Sequence, residues 1–445
     1  MDAGFSDRPW AAMVEARSAL AYDPQDGLCL DDVPLAGIAE RFGTPAHVYG
    51  AGTIRGRIDA LRQAFDAAGL APALRYAVKA NDHLAVLALM RNARLGADVT
   101  GAGELARARA AGMAAADMVF SGVGKRLDEI EAALAAGIGQ INVESAEELD
   151  MIDAVARRLG TRAPVALRIN PDVDAGTHDK IATGRAGDKF GIAFDAAAAL
   201  YRHASTMAGI TPVGLAVHIG SQIMTVAPYE AAYRRIAALI GDLRAEGLAV
   251  SRFDLGGGIG IPYDDGSVFP LPAYAAMLAR VTRGLDVGTI LEPGRYLVGP
   301  AGVLLARVTL VKRTAQRVFV VLDAGMNDLM RPALYGARHA IVPVAPADAA
   351  GATHGVDVVG PVCESSDVFA TGMALPDLAP GAPVAILDAG AYGAVMGSRY
   401  NGRPAAPICL VDRGEARLIR PRESLEAMWR DEIVPTDMET SRRAG

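Results

Sequence analysis

Short apolar segments that favour β-structure recur along the first 300 residues, at intervals of about 20 to 45 residues. They lie near 74–79, 95–99, 118–121, 140–143, 165–170, 213–219, 253–255 and 289–292. Most are separated by alanine-rich stretches with helical periodicity, such as 104–111 and 127–136, which end at Gly112 and Gly137. Eight such β/α units predict an α/β fold, a (β/α)8 TIM barrel, with its active site at the carboxyl ends of the strands.

After Pro300 the pattern changes to strand-like runs without long helices between them. They lie at 302–312, 317–323, 339–344, 356–360, 383–389 and 407–411. We therefore predict a barrel over 45–300 and a C-terminal all-β domain over 301–445. We expect the N-terminal segment, 1–44, to join the β-domain and to add a strand to it at 27–35.

The composition is that of an ordinary globular protein. The chain has 445 residues, of which 51% are hydrophobic and 21% charged, and its net charge is −7. Because the basic residues are dispersed and no 18-residue apolar run occurs, we expect neither nucleic acid nor a membrane as a partner. The first residues lack a secretory signal pattern, and three distant cysteines do not suggest a disulfide framework. We expect a cytoplasmic location.

Polar side chains and glycines mark the predicted strand ends. They are Lys79, Asp98, Ser121, Asn142, Arg168, Asn170, His218, Gly256, Gly257, Gly258, Glu292 and Arg295. A turn explains any one of them, but together they indicate the catalytic rim of a barrel.

Lys79 closes an otherwise apolar, β-favouring stretch. A buried ammonium is costly unless it is paired, and lysine is the residue type that forms Schiff bases with carbonyl cofactors. A lysine at a strand end can equally be a surface side chain with an ion-pair partner. The glycine-rich turn at 254–260 follows the seventh predicted strand, where barrels commonly bind phosphate through backbone N–H groups.

Three further rim residues complete a set of cofactor contacts. Glu292 can hold a pyridine nitrogen protonated, and Arg295 can pair with a phosphate or a substrate carboxylate. His218 lies on the same rim and can stack on a ring face. An amine, a phosphate cradle and a carboxylate together predict a site for pyridoxal 5′-phosphate.

Longer motifs occur in a fixed order over about three-quarters of the chain. They are YAVKAN at 76–81, RINPDVDAGTH at 168–178, KFGI at 189–192, HIGSQ at 218–222, EPGR at 292–295, DAGMNDLMRPALY at 323–335, GPVCES at 360–365 and GAYG at 390–393. In these motifs the chain resembles the fold-type III, alanine-racemase-like pyridoxal phosphate-dependent decarboxylases, and among them most closely the diaminopimelate decarboxylases.

The resemblance implies a role for each matching residue. It places cofactor contacts at Lys79, Asp98, His218, Ser221, Gly256, Gly257, Gly258, Glu292, Pro293, Gly294, Arg295 and Tyr392. It places substrate contacts at Arg295, Arg331, Tyr335, Glu364 and Tyr392. Lys79 would bind the cofactor's aldehyde, and Cys363 would be the acid that protonates the substrate carbon after carbon dioxide leaves. We predict no metal site.

The implied reaction is the decarboxylation of meso-2,6-diaminopimelate to L-lysine and carbon dioxide, the last step of lysine biosynthesis. The resemblance also implies a homodimer whose active site lies between the barrel of one subunit and the β-domain of the other, with Cys363 reaching across. The distal end of the substrate carries both an ammonium and a carboxylate. Glu364 can contact the first, and Arg331 with Tyr335 can contact the second.

Three alternatives stay open. The chain could be a relative that decarboxylates ornithine, lysine, arginine or carboxynorspermidine. It could be an amino-acid racemase, which would need a second acid–base residue on the opposite face of the cofactor. It could also be a non-catalytic cofactor-binding protein, which would be a barrel without a second domain. Three positions also depart from the family pattern. Ser366 and Ala102 stand where glycine is commoner, and Arg399 stands where smaller or amide side chains are frequent.

Overall fold

The computed structural model describes residues 10–174, 184, 189–263, 267–349 and 352–435. Its first elements are α1 (Ala11–Glu15), β1 (Leu20–Asp23), β2 (Gly27–Leu30), β3 (Val33–Pro34), α2 (Leu35–Phe42), β4 (Ala46–Gly50) and α3 (Ala51–Ala67). Strands β1, β2 and β3 form a small antiparallel sheet of their own. The strand that this part of the chain adds to the large C-terminal sheet is β4, so the expectation of an added strand at 27–35 is corrected.

The next elements alternate between strand and helix. They are β5 (Ala73–Ala77), α4 (Leu84–Asn92), β6 (Gly96–Val99), α5 (Ala102–Ala110), β7 (Met118–Phe120), α6 (Leu127–Ala135), β8 (Gln140–Val143), α7 (Ala146–Arg158), β9 (Ala163–Asn170), β10 (Ile192–Ala193), α8 (Phe194–Thr206), β11 (Ile210–Ala216), α9 (Ala227–Ala245), β12 (Arg252–Asp254), α10 (Leu271–Thr282), β13 (Gly288–Leu291) and α11 (Arg295–Val298). Strands β5, β6, β7, β8, β9, β11, β12 and β13 pair in that order, all in parallel, and β13 pairs with β5 to close the ring. The predicted (β/α)8 barrel is confirmed.

The barrel strands are short and apolar because both of their faces are covered. Strands β6 and β8, for example, are buried over their whole length. Helices α5 and α6 stop where predicted, since Gly112 and Gly137 follow them with φ of +82° and +75°. Within the described residues, none of the helices combines the length and the apolar character needed to cross a membrane.

The remaining elements build the second domain. They are β14 (Gly302–Arg313), β15 (Val318–Leu322), α12 (Arg331–Tyr335), β16 (Ile341–Pro343), β17 (Thr353–Val359), β18 (Val368–Pro376), β19 (Pro383–Ile386), β20 (Ile408–Asp412) and β21 (Glu415–Arg420). The long strand β14 organises the sheet, because it pairs with β4 and β19 along its first half and with β15 along its second half. The patterns of β18 and β21 did not reveal them as strands.

The second domain packs on the carboxyl rim of the barrel. The Asn81 side chain donates to Gly390 O at 3.1 Å, and Tyr392 N–H donates to Ala80 O at 2.8 Å. The buried barrel core continues into Ala391 and Ile408 of the second domain. The residues after β5 and the residues around Tyr392 therefore lie against each other, directly beside the predicted rim.

Candidate active site

The carboxyl rim of the barrel and the second domain enclose a cavity of about 510 Å³. Its lining includes Lys79, His218, Ser221, Gly258, Glu292, Gly294, Arg295, Arg331, Tyr335 and Tyr392, all singled out from the sequence. A second cavity of about 200 Å³ shares Lys79, His218 and Glu292 and extends into the barrel to Ser121, Asn142 and Asp254. The fold thus brings together residues that lie up to 313 positions apart in the chain, from Lys79 to Tyr392.

Lys79 lies in a single 3-10 turn directly after β5. Its Nζ lies 2.7 Å from Oδ2 of Asp98, which is fully buried at the next strand end. The lysine side chain is 37% exposed, and it lines the cavity. Burial lowers the pKa of Lys79, but the attraction of Asp98, with contributions from Tyr392 and Glu292, outweighs burial and leaves that pKa above its ordinary value. An amine must be neutral to attack a carbonyl, so Lys79 has to give up a proton before it can bond to one.

Glu292, after β13, is one of a pair of buried carboxyl groups. Asp254, at the end of β12, hydrogen-bonds to it and accepts from Gln140 at 3.0 Å and Asn142 at 3.1 Å. Burial raises the pKa of Asp254 to about 6, and burial with repulsion from Asp254 and Asp98 raises the pKa of Glu292 well above its usual range. The pair therefore shares a proton that can be placed on a ring nitrogen. Asp254 was not among the predicted site residues, although its position at the end of a barrel strand could have identified it.

The glycine turn after β12 lies against the backbone of two neighbouring strand ends. Gly256 and Gly258 have φ of +66° and +103°, which side chains disfavour. A Cβ atom on Gly257 would lie 2.2 Å from Glu292 O, and one on Gly258 would lie 2.4 Å from Gly220 O. Only glycine fits this turn. Gly256 N–H donates to Asp254 Oδ1 at 3.0 Å and Gly257 N–H donates to His218 at 3.1 Å, so an anion beside the turn would meet the N–H of Gly258.

Arg295 begins α11 and provides the charge beside this turn. It is buried, it donates to Ser221 Oγ at 2.9 Å and to the Tyr263 hydroxyl at 2.5 Å, and its guanidinium lies 4.8 Å from the ring centroid of Tyr392. The preceding Pro293 and Gly294 keep the backbone close to β5: Pro293 O accepts from Ala77 N–H at 3.1 Å. The predicted phosphate contacts therefore surround one end of the cavity.

His218 lies two residues after β11. Its Nδ1 accepts a hydrogen bond from Gly257 N–H at 3.1 Å, so this nitrogen carries no proton. Burial, together with the charges of Arg168 and Lys79, lowers the pKa of His218 well below its usual range. A neutral imidazole is thus held at the cavity wall, where it can lie against a planar ring.

The other end of the cavity is built by the second domain. Arg331 starts α12, is buried, and lies with Tyr335 on the cavity wall. Tyr392 reaches the cavity from a backbone with φ of +55°. The Tyr263 ring lies between the two arginines, 4.4 Å from the Arg331 guanidinium and 5.7 Å from that of Arg295. No sequence pattern pointed to Tyr263, because its contacts come from other elements.

Cys363 and Glu364 lie outside this cavity, in the loop between β17 and β18. Both are exposed. Cys363 N–H donates to Asn401 Oδ1 at 2.8 Å, and the Tyr400 hydroxyl donates to Glu364 at 2.5 Å. The chain therefore holds these two side chains apart from its own Lys79 cavity.

The three departures from the family pattern do not line either of the two cavities that Lys79 lines. Ala102 N–H donates to Glu129 at 3.0 Å at the start of α5. Arg399 forms an ion pair with Glu423, and Ser366 Oγ lies 3.8 Å from Met326 Sδ. Residues 175–178, the end of one motif, lie outside the described residues.

The residues of this site fit pyridoxal phosphate. Asp98 Oδ1 and Arg295 Nε are buried polar atoms without a hydrogen-bond partner in the part of the chain that the structure describes. A Cβ on Gly256, Gly257 or Gly258 would clash with neighbouring backbone, and the buried carboxyl pair, the neutral imidazole and the amine face the same space. A phosphate, a pyridine nitrogen, a ring face and an aldehyde each meet a suitable group.

Comparison with known proteins agrees with this chemistry. The family model for the pyridoxal binding domain of pyridoxal-dependent decarboxylases matches residues 51–299. The chain is 46% identical to the diaminopimelate decarboxylase of Zymomonas mobilis, over 91% of this chain and 96% of that protein. It is 45% identical to the one from Neisseria meningitidis serogroup A, over 92% and 99%.

A solved structure extends the likeness to three dimensions. The crystal structure of diaminopimelate decarboxylase from Helicobacter pylori complexed with L-lysine matches with a TM-score of 0.85 at 40% identity, over 89% of this chain and 98% of that one. The cofactor is therefore pyridoxal phosphate. Since both the barrel and the second domain are matched, this chain belongs to the diaminopimelate decarboxylase family of pyridoxal phosphate-dependent carboxy-lyases.

Proposed function

We propose that this chain decarboxylates meso-2,6-diaminopimelate to L-lysine and carbon dioxide, the last step of lysine biosynthesis. The observation that carries the proposal is the cavity that Lys79 lines together with two buried guanidinium groups, those of Arg295 and Arg331. Arg295 lies beside the glycine turn, and Arg331 lies on the wall built by the second domain. Two separated guanidinium groups suit a reaction in which one end of the ligand is a phosphate and the other a carboxylate.

The barrel residues bind and orient the cofactor. Pyridoxal phosphate supplies a carbonyl that bonds to amines and a ring that accepts electrons. Lys79 would hold the aldehyde end, the turn Gly256–Gly258 with Arg295 would hold the phosphate, and the His218 ring would support the face of the cofactor ring. Glu292, with the proton that it shares with Asp254, would hold the pyridine nitrogen in its protonated form.

Arg331 and Tyr335 would bind the distal end of the substrate. Burial lowers the pKa of the Arg331 guanidinium, but a guanidinium keeps its charge at every pH of interest. A buried, charged fork is suited to bind a carboxylate in two hydrogen bonds. A ligand without that carboxylate would leave Arg331 buried and unpaired by an anion, which disfavours ornithine and related diamino acids.

In this proposal a second copy of the chain supplies both the proton donor, Cys363, and the carboxylate that binds the distal ammonium of the substrate, Glu364. Cys363 and Glu364 are exposed and lie outside the cavity of their own subunit. A homodimer in which Cys363 of the partner subunit enters the cavity would supply a proton donor for the carbon that loses carbon dioxide. Glu364 of the partner subunit would pair with the distal ammonium.

Mixed dimers test this shared site. Lys79→Ala and Cys363→Ala chains, each inactive alone, are mixed under conditions that allow subunits to exchange. With random exchange, half of the dimers are mixed and one of their two sites is intact, so about a quarter of the wild-type activity should return. Exchange without recovery would contradict the shared site and leave the barrel chemistry untouched.

The proposed reaction is tested by offering four amino acids to the purified protein with pyridoxal phosphate. Carbon dioxide and the amino-acid product are measured with meso-2,6-diaminopimelate, L-lysine, L-ornithine and L-arginine. We expect L-lysine from diaminopimelate and no release from the other three. Arg331→Ala should lose most of the wild-type activity on diaminopimelate when both proteins are assayed in the same buffer and salt. Release from another amino acid alone would contradict the substrate, and no release at all would favour a non-catalytic cofactor-binding protein.

We also propose the domain division 1–44, 45–300 and 301–445, with the first segment joining the β-domain. The hydrogen bond from Leu28 N–H to Val344 O, at 2.9 Å, supports that contact, and the family match over 51–299 supports the barrel bounds. A cytoplasmic location is supported by three free cysteines, of which Cys29 and Cys409 are buried.

A further inference from the structure

The Arg331 guanidinium is held on two sides by residues outside the family motifs. Its Nη1 lies 2.6 Å from Nε2 of His339, and its Cζ lies 4.4 Å from the ring centroid of Tyr263. The His339 and Tyr263 rings also pack edge to face, with centroids 5.1 Å apart. All three side chains are at most 8% exposed. The guanidinium is therefore part of a packed cluster and is not free to choose its direction.

The partners of His339 select one state of its ring. Its Nδ1 lies 2.7 Å from Leu387 O, which can only accept, so Nδ1 must carry the proton. Arg331 can only donate, so Nε2 must be the unprotonated acceptor. A single neutral tautomer satisfies both contacts, and a doubly protonated ring would place an N–H against the guanidinium.

The frame around this cluster is fixed by Arg17, from the N-terminal segment. Arg17 donates to Tyr263 O at 2.6 Å and to the Asp388 carboxylate at 2.8 Å, and both ionic side chains are buried. Asp388 follows Leu387, the acceptor for His339. The two backbone segments that carry Tyr263 and Leu387 are thus tied to one guanidinium.

We propose that His339 is a positioning residue that determines specificity for a distal carboxylate. Its Nε2 uses one edge of the Arg331 guanidinium, so that the remaining N–H groups point into the cavity. The inference rests on the proposed function, because it assigns Arg331 to the distal carboxylate of diaminopimelate. It goes beyond that function by making a residue that does not line the cavity responsible for the direction of the fork.

Two product-like ligands separate the distal contact from the rest of the site. Decarboxylation removes one carboxylate of diaminopimelate, and the carboxylate that remains in L-lysine is the one that was distal. L-Lysine therefore keeps the group that Arg331 binds, whereas 1,5-diaminopentane has the same chain and amines without it. The ratio of their inhibition constants reports the Arg331 contact alone.

A matched pair of variants separates the two hydrogen bonds of His339. In His339→Asn the amide nitrogen takes the place of Nδ1 and can donate to Leu387 O, but nothing accepts from Arg331. In His339→Gln the amide oxygen reaches the place of Nε2 and can accept from Arg331. His354→Asn, an exposed histidine of the same domain, is the control.

We expect His339→Asn to raise KM for diaminopimelate and the inhibition constant of L-lysine by roughly tenfold, as for loss of a hydrogen bond to a charged group. The inhibition constant of 1,5-diaminopentane and kcat should change little. His339→Gln should restore most of the L-lysine affinity, and His354→Asn should match the wild type.

Other outcomes overturn the inference. If His339→Asn weakens the binding of L-lysine and of 1,5-diaminopentane equally, His339 belongs to the framework of the domain. The same conclusion follows if His339→Asn binds L-lysine better than His339→Gln does, or if neither variant folds. No change in either variant would show that Tyr263 alone directs Arg331. If wild-type protein forms no L-lysine from diaminopimelate, the proposed function fails. The dissociation constants of L-lysine and 1,5-diaminopentane, measured by titration of the wild-type holoenzyme and followed by cofactor absorption, still show whether the distal carboxylate is bound.

Discussion

Replacing Gly257 by alanine adds one methyl group at the centre of the glycine turn. Gly257 needs no left-handed backbone, since φ is positive at Gly256 and Gly258 but not at Gly257. The effect of Gly257→Ala is therefore steric. The new Cβ would lie 2.2 Å from Glu292 O and 3.2 Å from Glu292 C. Both atoms belong to the backbone, so no flexible side chain can move aside.

The size of the effect follows from that distance. Real Cβ atoms essentially never approach another atom within 3.0 Å, so the turn and the end of β13 must separate by about 0.8 Å. Overpacking of this kind typically costs about 1–3 kcal/mol. The displacement moves the proposed phosphate cradle relative to Glu292, the proposed partner of the ring nitrogen. If the same cost appears in cofactor binding, affinity for pyridoxal phosphate falls by roughly 5- to 150-fold.

The assay is a titration of cofactor-free protein with pyridoxal phosphate, followed by its absorption and by tyrosine and tryptophan fluorescence. Urea unfolding of the same cofactor-free samples gives the change in stability separately. Gly56→Ala is the matched control, because Gly56 lies inside α3 and an added Cβ meets nothing within 4 Å. We expect Gly56→Ala to leave the cofactor affinity unchanged and to stabilise the fold by about 0.5–1 kcal/mol.

Unchanged cofactor affinity in Gly257→Ala would refute the assignment of the turn as the phosphate cradle. A loss of stability without a loss of affinity would mean that the turn serves packing alone. A loss of affinity in Gly56→Ala as well would show that the titration reports general destabilisation.

Three further predictions concern ionisable side chains. In Lys79→Ala, no cofactor should become attached to the chain after reduction with borohydride, and intact mass measures this; attachment at another lysine would be contradictory. Lys125→Met should destabilise the fold by about 3–5 kcal/mol, because Lys125 pairs with Glu148 at 3.0 Å inside the protein, whereas removal of the exposed ion pair in Arg158→Ala should cost less than about 1 kcal/mol in the same urea unfolding. Burial raises the pKa of Asp328 to about 6, so the folded state keeps a proton that the unfolded chain loses near pH 4, and this contribution to stability disappears as the pH rises through about 6. The isosteric Asp328→Asn should therefore gain up to about 3 kcal/mol relative to wild type between pH 4 and pH 7, and parallel pH curves would contradict the burial argument.

The barrel was predictable because its strands carry their own signal. A parallel strand that is covered on both faces must be apolar along its length, so β6 or β8 stands out from the helices on either side. Strands β18 and β21 escaped detection because they have exposed positions and mixed side chains. The expectation for 27–35 failed in its pairing, since the partner of a strand depends on residues far away in the chain. β4 pairs with β14 and β20, more than 250 residues later.

The cofactor end of the site was also predictable. All barrel strands point the same way, so their carboxyl ends meet on one rim. A polar residue at a strand end can therefore be assigned to this rim without knowing which residues it contacts. Lys79, Asp98 and Glu292 were located in this manner. Asp254 is also a polar residue at a strand end, but it was assigned to the glycine turn and not to the site.

The amino-acid sequence by itself determined the order of the strands, the rim and the residue types that suit pyridoxal phosphate, because these follow from local patterns and from one rule of chain direction. Only the tertiary structure decided that Arg331 is oriented by Tyr263 and His339, that Arg17 ties their segments together, and that Cys363 lies outside its own cavity. Such contacts join side chains from separate elements, and their geometry depends on how two domains pack. Burial and pairing, which set the charge of each group, are likewise properties of the folded chain.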